Sequence, residues 1–350
     1  MAITVVHRIM KIGIAMSGGV DSTACALMLK EKHQVKGFFM RLAQPDFAEQ
    51  KERVERIADK LDIDLQIIDL RNEFEQAVLD YFSGSYFKGL TPNPCVKCNK
   101  EIKFGLFLDA ILKTGMAKMA TGHYARIEKD NDVYRLKMGL DPKKDQSYFL
   151  ARLSQQQLGS ILFPLGDKEK ESIYTYVEEN GFNHFRGQES QDVCFLEKNQ
   201  IGSFLDTRNS QTASKGSIVT SDGKVMGKHT GLFHYTIGQR KGLGISHPVP
   251  LYVIGLDATN NTVLVGTNDE LFSKKIRVKE LHWLSGNKPD LNQPYNIRIR
   301  YSHKGSPATI TLRDNNCGTF TFSEPQRAIT PGQFAVVYNN TELLGSGIIE

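Results

Sequence analysis

Apolar residues in the first half of the chain follow two alternating patterns. Short continuous runs, "IGIAM" (12–16), "VKGFFM" (35–40), "LQIIDL" (65–70) and "AKMATG" (117–122), predict buried strands. Between them Val54, Ile57, Ala58 and Leu61 fall at i, i+3, i+4 and i+7, the spacing of one helix face, and Phe104, Leu108, Ile111 and Leu112 repeat it. Strands alternating with helices of this length imply a parallel sheet with crossover helices. After about residue 200 the period shortens to two. "YVIGLDATNNTVLVG" (252–266) predicts a hairpin turning at Asn260–Asn261, and "YNIRIRY" and "ATITL" predict further short strands. The expected fold class is an α/β parallel-sheet domain, then a small β-rich linking domain, then a β-barrel or sandwich.

Composition narrows this little. The chain has 350 residues, 40% hydrophobic and 24% charged, ordinary values for a globular protein of two or three domains. No window approaches the uninterrupted apolar length of a membrane span, so no membrane association is expected. The start, "MAITVVHRIMKIGIAM", reads as a strand entering the fold and not as an export signal. Five cysteines, an odd number spread along the chain, do not form a secreted disulfide framework and suit a reducing cytoplasm. Charge is more telling in its distribution. Residues 1–196 carry 27 basic and 27 acidic side chains, so the net +5 lies wholly in the remainder, 17 basic against 12 acidic. A basic appendage beside a neutral domain suits a polyanionic partner.

The most informative segment is "IGIAMSGGVDSTACALMLKE" (12–31), an apolar strand running through Ser17-Gly18-Gly19-Val20-Asp21-Ser22 into a helix. Paired glycines let a backbone approach a ligand, and hydroxyls with a helix N-terminus present donors to phosphate. Two glycines alone would fit a plain capped turn equally well. The whole string, SGGxDS at a strand–helix junction, resembles the pyrophosphatase loop of the N-type ATP pyrophosphatase superfamily, in which ATP is cut between its α and β phosphates. The Walker pattern GxxxxGK[ST] is absent. That resemblance implies an adenine nucleotide alpha hydrolase-like domain and an ATP site over Ala15, Met16, Ser17, Gly18, Gly19, Val20, Asp21 and Ser22. It adds Met40 against the adenine and Gly122 at the end of the fourth strand. Magnesium is expected to bridge the phosphates, with Asp21 as a ligand.

Cysteine supplies the second chemistry. In "TPNPCVKCNKEIKF" (91–104), Cys95 and Cys98 are expected on a Pro-rich turn, where Lys97, Lys100, Lys103 and a helix N-terminus would favour thiolate. "ESQDVCFL" (189–196) places Cys194 in another short motif; Cys25 reads as core, and Cys317 as part of a polar β-turn. In order, "GIAMSGGVDS", "GLTPNPCVKCNKEIKFG", "TGHYARI", "DQSYFL", "SQDVCFL", "TIGQRKGLGI" and "PGQFAVVY" resemble the bacterial tRNA-specific 2-thiouridylase family along essentially the whole chain. The resemblance implies domains at 1–198 (catalytic), 199–268 (linking) and 269–350 (a C-terminal β-barrel contacting tRNA). It also implies ATP-dependent thiolation of the wobble uridine of tRNAs for Lys, Glu and Gln in the cytoplasm, by a monomer. Sulfur would come as a persulfide from a sulfur-relay protein or cysteine desulfurase.

Carried over by motif, Cys194 matches the persulfide carrier and Cys98 its catalytic partner. Many relatives have Asp where this chain has Cys95, so an acid/base role there is open to question. Three convergent thiols also admit a 4Fe–4S cluster on Cys95, Cys98 and Cys194, or a zinc ion with His123 as fourth ligand. The resemblance further assigns tRNA contacts to His123, to Lys144, Asp145 and Gln146 on a charged loop, and to Arg300, Tyr301 and Gln333. Asn93, Pro94 and Cys95 would line a pocket for a base flipped from its stack. Alternation in "RIRY" predicts that Arg298 and Arg300 share one strand face, and the Gly-rich, basic "TIGQRKGLGI" predicts a loop that grips RNA backbone.

Overall fold

The computed structural model describes residues 9–183, 185–186, 193–197, 200–208 and 215–350; residues 1–8 and Ser190–Asp192 of "SQDVCFL" lie outside them. The chain divides into two compact units, residues 1–77, 95–195 and 341–343, and residues 78–94, 196–340 and 344–350.

The first unit is built on a parallel sheet. Its strands are β1 (Lys11–Met16), β2 (Gln34–Arg41), β3 (Leu65–Asp69), β4 (Lys118–Ala120) and β7 (Ile161–Leu162), in the order β3-β2-β1-β4-β7. Every adjacent pair is parallel. Helices α1 (Val20–Lys30) and α2 (Phe47–Lys60) are the crossovers of the first half. Ile12, Ile14 and Ala24 are fully buried, and Val54, Ile57 and Ala58 join them, as the helical spacing predicts. The strand order reverses between β1 and β4, and the carboxyl ends of strands at such a reversal form the usual ligand crevice of an open α/β sheet. The loop after β1 is Ser17–Gly19, and Gly122 follows β4. A hairpin, β5 (Ala125–Asp130) and β6 (Val133–Met138), pairs with residues 342 and 343 in this same unit.

Two differences from the expected helices bear on the site. Pro94–Cys98 is itself helical, so the cysteines lie on a helix and not on a preceding turn. The following Asn99–Phe107 is π-helical and becomes α-helical only at Leu108–Lys113. Gln157 explains part of this: its Nε2 donates to the carbonyls of Lys100 and Phe104, both at 2.8 Å. A side chain inserted into the helical ladder offers carbonyls an alternative partner, and wide turns of this kind recur at functional sites.

The second unit is mostly β. β8 (Gly216–Thr220), β9 (Val225–His229), β10 (Tyr252–Asp257) and β11 (Thr262–Gly266) form a sheet ordered β10-β11-β8-β9. Asn261 turns the predicted hairpin with φ 49°, a conformation asparagine tolerates. Then β12 (Phe272–Trp283), β13 (Tyr295–Arg298), β14 (Ser306–Arg313), β15 (Cys317–Arg327), β16 (Phe334–Asn339) and β17 (Glu342–Ile349) run in the order β12-β15-β14-β13-β16-β17, closed into a barrel by pairing of β12 with β17. Val278, Ile297, Phe320 and Val337 fill its core. The strand predicted over "YNIRIRY" ends at Arg298, so Arg300 and Tyr301 stand beyond it and share no strand face with Arg298. Cys317 begins β15, directly after the turn in which it was expected.

Candidate active site

The phosphate loop is organised by its own hydroxyls. Ser22 Oγ donates to the Gly19 carbonyl at 3.0 Å and accepts from the Ser17 amide at 3.2 Å; Thr23 Oγ1 also donates to Gly19 O at 3.0 Å. Gly18 has φ +77°, a conformation that glycine adopts without strain. Gly19 caps α1, whose first residues are Val20, Asp21 and Ser22. Ala15 and Met16 close β1, Ser17 and Gly19 are exposed, and Met40 lies one residue past the pairing of Met16 with Phe39. Free amides at a helix N-terminus beside an open turn form a ready anion site. Gly122 is required by closeness: a Cβ there would stand 2.6 Å from Asp21 Cβ and 3.0 Å from its carbonyl carbon. The predicted nucleotide residues from β1, β2 and β4 thus lie at neighbouring strand ends.

Asp21 departs from expectation. Both its carboxylate oxygens are 2.8 Å from Lys170 Nζ, and Tyr124 donates its hydroxyl to Oδ1 at 2.8 Å. The carboxylate expected to hold magnesium is engaged by an ammonium and a phenol. Burial and the neighbouring Asp21 charge push the Tyr124 hydroxyl well above its ordinary pKa, so it stays a donor. Sequence reading missed both partners. Lys170 opens the helix Lys170–Glu179 in "GDKEKES", which resembles any solvated charged turn, yet it is buried.

The thiols of Cys95, Cys98 and Cys194 come near enough to influence one another's ionisation, and Lys103 acts on all three. Burial dominates: it pushes Cys95 up to about 11 and Cys98 up to about 12, with the Cys194 sulfur adding to both and Lys103 opposing. The expectation of favoured thiolates at Cys95 and Cys98 is therefore corrected, because desolvation outweighs the nearby ammonium. Lys97 offers little, being paired with Glu101 at 2.6 Å. Cys194 is exposed as a residue, yet crowding around its sulfur also pushes the thiol up, with Lys103 opposing. Cys25 is fully buried in α1, as expected for a core residue. Asn99, not singled out from sequence, is buried and donates to the Phe149 carbonyl at 3.2 Å, fixing the turn that follows Cys98.

Several residues expected to face RNA are occupied otherwise. His123 Nδ1 is 2.7 Å from Thr121 Oγ1, and the ring packs against Phe104 and Phe163. Burial first, then Lys103, holds its pKa well below the ordinary histidine value, so it is neutral. Asp145 is buried and accepts from the Gly139 and Ser147 amides and the Ser147 hydroxyl, so its side chain builds the loop and does not face out. Gln146 accepts from the Tyr124 amide through Oε1 and donates its own amide to Tyr124 O, while Lys144 is half-exposed.

In the second unit Asn93 and Pro94 are buried, and Gln333 Nε2 donates to Thr91 O at 2.9 Å and Pro92 O at 3.3 Å, holding the segment that precedes them. Arg298 stacks over the Tyr338 ring, Arg300 donates to Arg327 O at 3.3 Å, and Tyr301 is exposed. "TIGQRKGLGI" is irregular and turn-rich, pinned by paired backbone hydrogen bonds of Gly238 and Gln239 with Val253.

Comparison with known proteins agrees along the chain. Residues 10–198 match the family described as tRNA methyl transferase HUP domain, 202–267 its PRC-barrel domain, and 273–349 the aminomethyltransferase beta-barrel domain. The tRNA-specific 2-thiouridylase MnmA of Desulfotalea psychrophila is 58% identical over 337 residues, 96% of this chain and 98% of the relative. Its namesake in Syntrophomonas wolfei is 43% identical over 97% of this chain and 100% of its own length. That of Clostridioides difficile is 39% identical over 97% and 98%. With a nucleotide loop, gathered thiols and a barrel in the same order as these relatives, the chain belongs to the tRNA-specific 2-thiouridylase family.

Proposed function

We propose that this protein is an ATP-dependent sulfurtransferase that converts the wobble uridine of tRNAs for Lys, Glu and Gln to 2-thiouridine. The observation that carries the reading is the gathering of Cys95, Cys98 and Cys194 around Lys103, in the same unit as the SGGVDS loop. The uracil O2 attacks the α-phosphorus of ATP, pyrophosphate departs, and C2 is left bearing an adenylate. The terminal sulfur of a Cys194 persulfide adds to C2 and AMP leaves with the former carbonyl oxygen. The Cys98 thiolate then attacks Cys194 Sγ, breaking the S–S bond to release 2-thiouridine and leaving a Cys98–Cys194 disulfide for reduction by a thiol. Protonated thiols at rest keep Cys98 inert until a proton is drawn off, and the Lys103 ammonium stabilises the thiolate that results.

Magnesium would bridge the phosphates and neutralise charge as they separate. The domains would divide at 1–198, 199–268 and 269–350, with Lys144, Arg300, Tyr301 and the 236–245 loop facing tRNA in a cytoplasmic monomer supplied by a persulfide donor protein. Among the described residues no helix is long and apolar enough to cross a membrane. A 4Fe–4S cluster fits poorly. Among the described residues no three His, Cys, Asp or Glu side chains form a metal-binding group, and Lys103 already supplies the positive charge among the thiols. No step is derived through such a cluster, nor through a zinc ion on His123, whose Nδ1 is taken by Thr121.

The test is thiolation of an unmodified tRNA transcript for Glu with ATP and a persulfide donor, read as 2-thiouridine by mass spectrometry of nucleosides. C194A and C98A should each lose the product while still consuming ATP to adenylate. Full thiolation by C194A would refute the assignment.

A further inference from the structure

The cations of α2 are accounted for, with one exception. Lys51 pairs with Glu55 at 3.2 Å and Arg56 with Glu52 at 2.6 Å, while Lys60 donates to the Gly181 carbonyl and lies over the Phe182 ring. Arg53 makes no ion pair or hydrogen bond among the described residues, and its Nε is buried without a partner. Glu49 stands one turn earlier, at the spacing that pairs the other two arginine and lysine residues, but Arg53 does not turn to it. It lies against the phosphate loop. An atom at the Cβ position of Gly18 would be 3.0 Å from Arg53 Nε and 3.4 Å from its Cγ, so the missing side chain at Gly18 gives the guanidinium its access to the turn.

A partly buried guanidinium with an unmet donor is costly, and structures rarely retain one unless a partner arrives. The partner chemistry at this loop is phosphate, which guanidinium groups bind through paired charge-assisted hydrogen bonds. We propose that Arg53 is the cation with which the SGGVDS loop holds the pyrophosphate portion of ATP, and then the pyrophosphate product. Of the two products pyrophosphate carries the greater charge and has no base to anchor it elsewhere, so a cation here matters most to it. This assignment rests on the ATP reading above and deepens it.

The test is equilibrium binding of ATP, inorganic pyrophosphate and AMP to the full chain, comparing wild type with R53M and R53K at fixed magnesium. R53M should weaken ATP and pyrophosphate about 10-fold or more, as for loss of a charge-assisted hydrogen bond, and leave AMP within about threefold. R53K should recover part of the loss. The melting temperature of R53M should match or exceed that of wild type, since a partnerless buried donor is removed. Equal weakening of AMP, or unchanged ATP and pyrophosphate binding, would overturn the assignment, as would a fall in stability with affinity intact. A wild-type protein that binds no ATP would overturn the ATP reading itself, an outcome distinct from wild type and R53M binding ATP equally well.

Discussion

Lys170 Nζ sits 2.8 Å from each carboxylate oxygen of Asp21, across 149 residues of sequence, with Lys170 only 9% exposed and Asp21 33%. The pair ties the first turn of α1 to the start of the helix Lys170–Glu179, with Tyr124 holding Oδ1 from a third side. The loop's one carboxylate is thereby neutralised before any phosphate arrives.

K170M should therefore act in two ways. Leaving Asp21 without its cation should destabilise the protein by about 2 kcal/mol, less than for a fully buried pair because Asp21 is a third exposed. It should also weaken ATP binding, since an uncompensated carboxylate would face the phosphates. K170M/D21N should recover much of the lost stability. Chemical denaturation of the two single variants and the double variant measures the coupling, and additive losses would show the pair to be energetically idle.

Gly122 tests the convergence of strand ends. In G122A the new methyl would collide with Asp21 Cβ and backbone, neither of which is the free end of a flexible side chain. A displacement of the loop costing about 1–3 kcal/mol is expected, with ATP affinity falling along with stability. Calorimetric ATP titration of G122A beside its thermal melt reads both, and wild-type values in each would mean that the loop yields without cost.

How much of this was legible in the sequence divides along physical lines. The β1–loop–α1 unit, the buried face Val54, Ile57 and Ala58, and the Asn261 turn follow from local patterns, because side-chain period and glycine freedom act over a few residues. The ordered motifs carried the family. Lys170 and Tyr124 were invisible as partners of Asp21 because tertiary packing alone brings them together. Asp145 read as a solvated charge, since nothing local shows that a carboxylate will be buried on three donors. The π-helical turn after Cys98 depends on Gln157 from another element, and the thiol ionisation depends on burial that no spacing reveals.

Those thiols give a pH prediction with a definite sign. With Cys98 pushed up to about 12, its thiolate fraction should rise about tenfold per pH unit throughout the range 7 to 9. Alkylation of Cys98 by iodoacetamide, followed by peptide mass spectrometry, should rise with that slope and show no plateau. K103M should slow it further at each pH, because the ammonium that opposes the shift is gone. A plateau near neutral pH would identify Cys98 as a resting thiolate.

His123 gives the opposite direction in stability. Its folded pKa lies well below the ordinary 6.5, so between the two values the unfolded chain holds a proton that the folded chain lacks. Acid therefore favours unfolding: the contribution is fully present above the unfolded pKa and is lost as pH falls through this window. Between pH 6.5 and 5.5 the loss should be about 1 kcal/mol. H123Q keeps a hydrogen-bonding group beside Thr121 but cannot titrate here, so its stability should fall less over the same interval. Urea unfolding of both proteins at the two pH values isolates the difference. Parallel losses would mean that His123 titrates in the folded protein as it does in water, despite its place between Phe104 and Phe163.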